Sequence, residues 1–291
     1  MKILLTGSSG QVGYELERSL QGLGQVVAVD RSRMDLADLD QVRAVIRAVQ
    51  PGLIVNPAAY TAVDKAESEP ALAFRINAEA PGVMAEEAKK LGASLVHYST
   101  DYVFPGDDPA PRVEGDATGP INVYGASKLA GEQAIAAAGI PHLIFRTSWV
   151  YGMRGKNFLL TMLKLARERE ELRIVADQHG APTWSRTIAD ATALMLASSM
   201  AQPRAGDAPR PAWWDEHSGI YHLSSQGQTT WFEFTQAIIE QAGIACRLQP
   251  ITSAEYPVPA RRPQYSVLSS QRLQQFCQLP HWRDALSLCM R

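Results

Sequence analysis

The chain has 291 residues, a formal net charge of −2, 46% hydrophobic and 20% charged residues, a balance that suits one large soluble domain or two modest ones. No basic block is present, so nothing in the charge points to nucleic acid or an anionic membrane surface, and no apolar run reaches the length of a bilayer. Cys246, Cys277 and Cys289 give neither a metal-ligand spacing nor an even disulfide set. With an apolar start too short for a signal peptide and broken at Gly7, they predict a cytoplasmic protein.

Lys2 to Leu5 predicts a buried strand that runs into Gly7-Ser8-Ser9-Gly10-Gln11-Val12-Gly13 and then a helix with Val12, Leu16, Leu20 and Leu23 on one stripe. Strand, glycine turn and helix in this order make a dinucleotide cradle. Glycines let backbone approach a pyrophosphate, and free amides at a helix start favour its charge. Gly7, Gly10, Gln11, Val12 and Gly13 are therefore candidate cofactor residues. Gln25 to Asp30 predicts a second buried strand, with Asp30 placed to accept hydrogen bonds from both ribose hydroxyls. Its charge repels a 2′-phosphate and favours NADH, whereas Arg31 and Arg33 can neutralise one, so NADH and NADPH both stay open. Asp35 and Leu36 either reach the adenine or, for Asp35, cap the next helix.

A helix with Val42, Val45, Ile46 and Val49 on one face ends at Pro51, and Leu53-Ile54-Val55 completes a βαβαβ half. The stretch from Asn56 to Glu67 is rich in small residues. Open α/β sheets bind ligands at such strand ends, which adds Ala59, Tyr60 and Thr61 to the cofactor candidates. A helical segment interrupted by Pro81 follows, then a strand from Leu95 to Ser99 with Thr100-Asp101-Tyr102 at its carboxyl end. His97 reads as strand packing; Tyr98 either packs the strand or borders the cofactor. In Tyr124-Gly125-Ala126-Ser127-Lys128, helical spacing puts the phenol and the ammonium on one face. A neighbouring cation favours the phenolate, so this pair makes a proton donor.

Leu143 to Phe145 is a strand leading into Arg146-Thr147-Ser148-Trp149, where the Trp149 indole either stacks on a sugar or closes a domain seam. Asn157 either touches substrate or caps the next helix. After a strand at 173–177 comes a helix with Ile188, Ala191, Thr192 and Met195 on one face. Gln202 to Gly219 has a composition that resists helix and strand, a loop in which Trp213 and Trp214 serve as anchors, as a lid or as a partner patch. Ile220 to Leu223 is a strand with a satisfied His222, and Thr229-Thr230 precede a helix bearing Trp231, Phe234, Ile238 and Ile239. Arg261 and Arg262 sit on a proline-bounded loop, ion-paired or meeting a diphosphate.

Taken together, Gly7 to Gly13, Ser99 to Gly106, Tyr124 to Lys128 and Arg146 to Gly152 resemble the extended short-chain dehydrogenase/reductase family. Thr61 to Glu67, Asp177 to Thr183 and Pro259 to Pro263 carry the resemblance end to end. It implies an α/β fold: a Rossmann-type doubly wound parallel sheet over 1–147, joined by part of 173–200, and a smaller, mixed substrate-binding domain over most of 148–291. The implied activity is hydride transfer from NADPH or NADH to C4 of a nucleotide sugar, dTDP-4-dehydro-L-rhamnose, giving dTDP-L-rhamnose. In that reading Tyr124 is the general acid, Lys128 lowers its pKa and holds the nicotinamide ribose, and Thr100 hydrogen-bonds the carbonyl oxygen. Asp101, Tyr102, Trp149 and Asn157 join Thr100 as substrate contacts.

Similar sugar-nucleotide 4,6-dehydratases carry Thr-Asp-Glu where Thr100-Asp101-Tyr102 stands, and Tyr102 cannot replace that glutamate, so the resemblance implies reduction. Two rival readings are a non-catalytic dinucleotide-binding subunit, like the regulatory subunit of methionine adenosyltransferase, and a reductase of another sugar nucleotide. Some family members dimerise through magnesium held by glutamates. Glu15 matches one such position, but Arg186 stands at another and the chain ends at Arg291 without a glutamate, so a homodimer is open and a metal-linked one is not expected.

Overall fold

The computed structural model describes residues 1–201 and 212–291. The amino-terminal half runs β1 (Lys2–Leu5), α1 (Gln11–Ser19), β2 (Gln25–Ala28), α2 (Leu39–Val49), β3 (Leu53–Asn56), α3 (Val63–Ala66), α4 (Pro70–Phe74), α5 (Ala80–Leu91), β4 (Ser94–Thr100), α6 (Val123–Ala137) and β5 (His142–Thr147). After it come β6 (Val150–Tyr151), α7 (Phe158–Glu168), β7 (Glu171–Val175), β8 (His179–Gly180), β9 (Thr183–Trp184), α8 (Ser185–Ala201), α9 (Ala212–His217), β10 (Gly219–His222), β11 (Thr229–Thr230), α10 (Trp231–Ala242), β12 (Arg247–Ile251) and α11 (Trp282–Cys289).

Six strands form one parallel sheet in the order β10-β5-β4-β3-β1-β2. Its strands read as near-continuous apolar runs because both faces are covered. Alternate residues separate cleanly. Ile3, Leu5, Leu53, Val55, Val96, Leu143 and Phe145 point to one side with α1 and α8 residues. Leu4, Ile54, Leu95 and Ile144 point to the other with residues of α2 and α5. A second core gathers α7, β7, α10 and α11 around Tyr151, Phe234 and Trp282, with β12 pairing β7 in parallel.

Three expectations need correction. The helix does not break at Pro81: α4 passes into a π-helical turn at Arg75–Glu79, and α5 begins one residue before the proline. Proline leaves the Asn77 carbonyl without its usual donor, and the wider turn, with the Ala80 amide reaching back to Arg75 O, absorbs the mismatch. The expected loop at 202–219 is partly helical. Its 202–211 part lies outside the described residues, but Trp213 and Trp214 sit on α9, 4% and 7% exposed. They meet edge to face with ring centroids 5.1 Å apart, and Trp213 packs on Phe276, so burial of two indoles fixes a turn that composition disfavours. They anchor the fold and form no lid. Finally, the segment 148–291 returns a strand as well as a helix to the first unit. β10 extends the sheet beside β5 with Ile220 opposite Ile144, while α8 lies along α1.

Candidate active site

From β1 the chain turns outward to β2 and then returns to β3 on the other side, the reversal at which open α/β sheets leave a crevice. A cavity of about 500 Å³ opens there. It is lined by Gly7, Gly10, Gln11, Val12 and Gly13 of the glycine turn, and by Arg31, Asp35, Leu36, Ala59 and Thr61. Tyr98, Tyr124 and Lys128 close its far side, joined by Pro57, Ala58 and Lys156, which sequence reasoning had not singled out. Gly7 has φ of +57°, and a Cβ on Gly13 would stand 2.1 Å from Gly7 O. Gly10 gives α1 no side-chain cap, so the first amides of that helix are free for an anion. A dinucleotide's diphosphate fits this donor set.

Two expected cofactor residues face elsewhere. Asp30 turns its carboxylate onto Ser32, accepting from the backbone N–H at 2.9 Å and from Oγ at 2.6 Å, which holds it below the usual carboxylate range. Tyr60 donates its hydroxyl to Glu69 at 2.8 Å, and Asn77 grips its backbone on both sides. Asp35 does line the cavity but is no helix cap: it accepts from Ala37 N and Arg31 Nε, while Asp38 caps α2. Tyr98 borders the cavity, and its hydroxyl bonds Thr192 inside the core at 2.8 Å.

Asn122 caps α6, accepting from Gly125 N at 2.8 Å, and the turn that follows brings Tyr124 and Lys128 onto one face as the spacing predicts. Gly125 permits close packing, since a Cβ there would lie 2.2 Å from Tyr102 O. The Tyr102 ring then meets Tyr124 edge-on with centroids 5.8 Å apart. Burial pushes the Tyr124 phenol up to about 12, opposed by a hydrogen bond with Thr100. Burial also pushes the Lys128 ammonium down to about 7, with Glu132 pulling the other way. This corrects the expected lowering of the Tyr124 pKa by Lys128, because burial dominates at the phenol and the Lys128 Nζ is turned to His97 Nε2 at 3.1 Å. Thr100 donates to Asp101 Oδ1 at 2.9 Å and accepts from Tyr102 N. Asp101 is buried and pushed up to about 6; its Oδ2 has no well-formed partner, and nearby Ser266 offsets only part of the burial.

Sequence reasoning missed the groups beneath this pair. His97 is more than strand packing, since Nδ1 meets Asn56 Nδ2 at 3.1 Å and Thr6 donates to Asn56 Oδ1 at 2.6 Å. From the π-helical turn, Asn77 donates to Ser127 Oγ at 3.0 Å, and Ser127 donates to Tyr124 O. Gly131 makes this possible, for a Cβ would strike Asn77 O at 2.1 Å. Arg146 and Glu132, each 3% exposed, form a two-point ion pair at 3.0 and 2.7 Å. The signal available was polarity out of place: a histidine and an arginine inside apolar strands.

On the carboxyl-terminal side the expected contacts are occupied by the protein itself. Trp149, at φ of +46°, stacks on Trp231 with centroids 3.5 Å apart and planes within 7°. Gly180 lies against the same indole, so the seam-closing reading describes its surroundings. Asn157 caps α7 through Leu160 N, and its amide donates to Gln11 Oε1 and Gly152 O, both at 2.8 Å. It thereby ties α7 to the glycine turn. Arg262 pairs with Asp64 at 2.8 Å, and Asn122 holds the Arg261 carbonyl. His222, expected as a satisfied strand histidine, is neutral and bonded through Nδ1 to Arg112 O, with burial pushing it down to about 3, but its buried Nε2 has no partner among the described residues. Arg186 pairs with Asp190 at 3.7 Å. Among the described residues no helix is long and apolar enough to cross a membrane, and no group of three His, Cys, Asp or Glu side chains gathers as a metal site.

Comparison with known proteins gives a match to the RmlD substrate binding domain over residues 1–291. A dTDP-4-dehydrorhamnose reductase of Burkholderia thailandensis is 51% identical, covering 100% of this chain and 98% of its own. One from Escherichia coli K12 is 44% identical over 97% of this chain and 95% of its own. Among solved structures, the dTDP-4-dehydrorhamnose reductase of Bacillus anthracis in complex with NADP superposes with a TM-score of 0.88 at 36% identity, covering 99% and 98%. A Clostridium acetobutylicum counterpart gives 0.90 at 34%, covering 100% and 98%. With a match spanning every residue and relatives this similar along nearly their full lengths, the chain belongs to the RmlD substrate binding domain family.

Proposed function

We propose that the chain reduces the C4 ketone of dTDP-4-dehydrorhamnose to yield dTDP-L-rhamnose, drawing hydride from NADPH or NADH. The observation that carries this reading is a phenol, Tyr124, opening onto the same cavity as an intact glycine cradle. When bound, the dinucleotide supplies the hydride; the remaining steps belong to the chain. With its pKa near 12, Tyr124 keeps its proton at neutral pH and can deliver it to the alkoxide that forms at C4. Thr100 acts on that phenol and can share the hold on the same oxygen once its hydroxyl, which donates to Asp101 Oδ1, turns its hydrogen towards the substrate. Tyr102 is pushed above its ordinary range by burial and by Asp101, so it cannot act as the base a dehydratase needs, which favours reduction.

Cofactor breadth has its own support. Asp30 is occupied by Ser32, whereas Arg31 lines the cavity, so a 2′-phosphate meets a cation as readily as a carboxylate. NADP and NAD both appear bound to solved neighbours of this fold. Three unpaired cysteines favour the reducing cytoplasm as its compartment. The test is NAD(P)H oxidation with a panel of nucleotide-linked 4-keto sugars. Tyr124→Phe should lower turnover ~10²–10⁴-fold while leaving dinucleotide binding largely intact, although Tyr124 also stands among the expected cofactor contacts. Wild-type turnover in that variant would refute the mechanism, and activity confined to UDP- or GDP-sugars would refute the substrate.

A further inference from the structure

Among the described residues Lys128 Nζ has one hydrogen-bond partner, His97 Nε2, although it is 1% exposed. Which proton lies between them is decided further back. The 2.6 Å contact from Thr6 Oγ1 to Asn56 is short even for O–H···O and too short for a usual N–H···O, so the Asn56 carbonyl faces Thr6. Asn56 therefore presents its amide N–H to His97 Nδ1, which must accept. A neutral imidazole then carries its hydrogen on Nε2, pointing at Lys128 Nζ. An ammonium has three donors and no lone pair, so only the neutral amine completes this contact.

We propose that the Thr6–Asn56–His97 chain holds Lys128 as the neutral amine in the free protein, and that binding of an anionic dinucleotide charges it with one proton taken from solvent. The inference rests on the dinucleotide reading of the cavity given above. The balance is simple: Lys128–NH₂ gains H⁺ from buffer and becomes Lys128–NH₃⁺. His97 then moves its hydrogen from Nε2 to Nδ1, the Asn56 amide turns over to accept it, and the Thr6 hydroxyl draws back to an N–H···O distance and becomes the acceptor of the amide N–H. The other groups facing Lys128 are few. Tyr124 and Glu132 lie on α6, His97 on β4 and Arg146 on β5, and Arg146 already takes both Glu132 oxygens. Burial acts in the same direction as the hydrogen-bond chain, bringing Lys128 down to about 7, and burial alone is enough to hold His97 neutral. A dinucleotide brings negative charge to a cavity that Lys128 lines, which raises the affinity of the amine for a proton.

The experiment is isothermal titration calorimetry of NADPH into the full-length protein at about pH 8, repeated in buffers of different ionisation enthalpy. The wild type should take up a substantial fraction of a proton per site. Asn56→Asp places a carboxylate against Nδ1, forces Nε2 to accept and fixes the ammonium in advance; His97→Gln offers Nζ a carbonyl to the same effect. Both variants should bind with little proton uptake. Uptake that is absent in the wild type, or equal in the wild type and both variants, overturns the proposal. Failure of the wild type to bind NADPH at all would instead overturn the dinucleotide reading beneath it.

Discussion

The Arg146–Glu132 pair invites the most quantitative test. Glu132→Gln keeps an acceptor for one guanidinium N–H but removes the charge, leaving Arg146 buried at 3% exposure, over Phe104 at 5.0 Å, with Nη1 already lacking a partner. Breaking a buried pair at one end costs ~3–5 kcal/mol, and the retained hydrogen bond places this variant near ~3. At roughly 2–4 °C per kcal/mol, the thermal midpoint should fall by about 6–12 °C. Differential scanning calorimetry, checked by urea unfolding, measures it. Replacing both residues by apolar ones of similar volume, Glu132→Leu with Arg146→Met, should recover most of the loss, because desolvation of the two charges is then removed as well. A single variant melting within about 2 °C of wild type, or a double variant as unstable as the sum of its singles, would refute the argument.

Two further outcomes follow from the site. Gly13→Ala drives a Cβ to 2.1 Å from Gly7 O, so the cradle must open; NADPH affinity should fall at least ~10-fold, about 1.4 kcal/mol, and fluorescence titration showing wild-type affinity would refute the cradle. Asp101 has a folded pKa near 6 against an ordinary 3.8, so its stability contribution is intact below about 3.8, is lost as pH rises from there to about 6, and stays lost above that. Asp101→Asn should thus be more stable than wild type at alkaline pH by on the order of 2–3 kcal/mol, with the advantage fading as pH falls towards 4. Urea titrations giving the same gap at both ends would assign the titration elsewhere.

What could be read in the sequence was what neighbours in sequence decide. A strand, a glycine turn and a helix need only the eighteen consecutive residues from Lys2 to Ser19, and the Tyr124–Lys128 pairing needs one turn of helix. Contacts between distant segments left no such trace. His97 meets Lys128 across 31 positions and Asn56 across 41, so a polar residue in an apolar strand was the only hint. Trp149 stayed open between stacking on a sugar and closing a seam because Trp231, its stacking partner, comes 82 positions later. Pro81 read as a stop because propensity treats the α-helix as the only helix, whereas a π-helical turn accommodates the missing donor. The pull of Lys128 on Tyr124 was argued from charge alone; burial, which no local pattern reports, carried more weight.

The late arrival of β10 bears on how this chain is made. β5 is complete at Thr147, but the strand that covers its outer edge begins at Gly219, about 70 residues further on. At ~5–20 residues per second on a ribosome, that edge waits unpaired for roughly 4–14 s, with its N–H and C=O groups available to any extended segment. A hydrophobic strand left open for seconds is the place where a nascent chain pairs wrongly. Chaperone dependence, and any tendency to aggregate during expression, should therefore be governed by substitutions along His142–Thr147 more than by those at the cofactor turn.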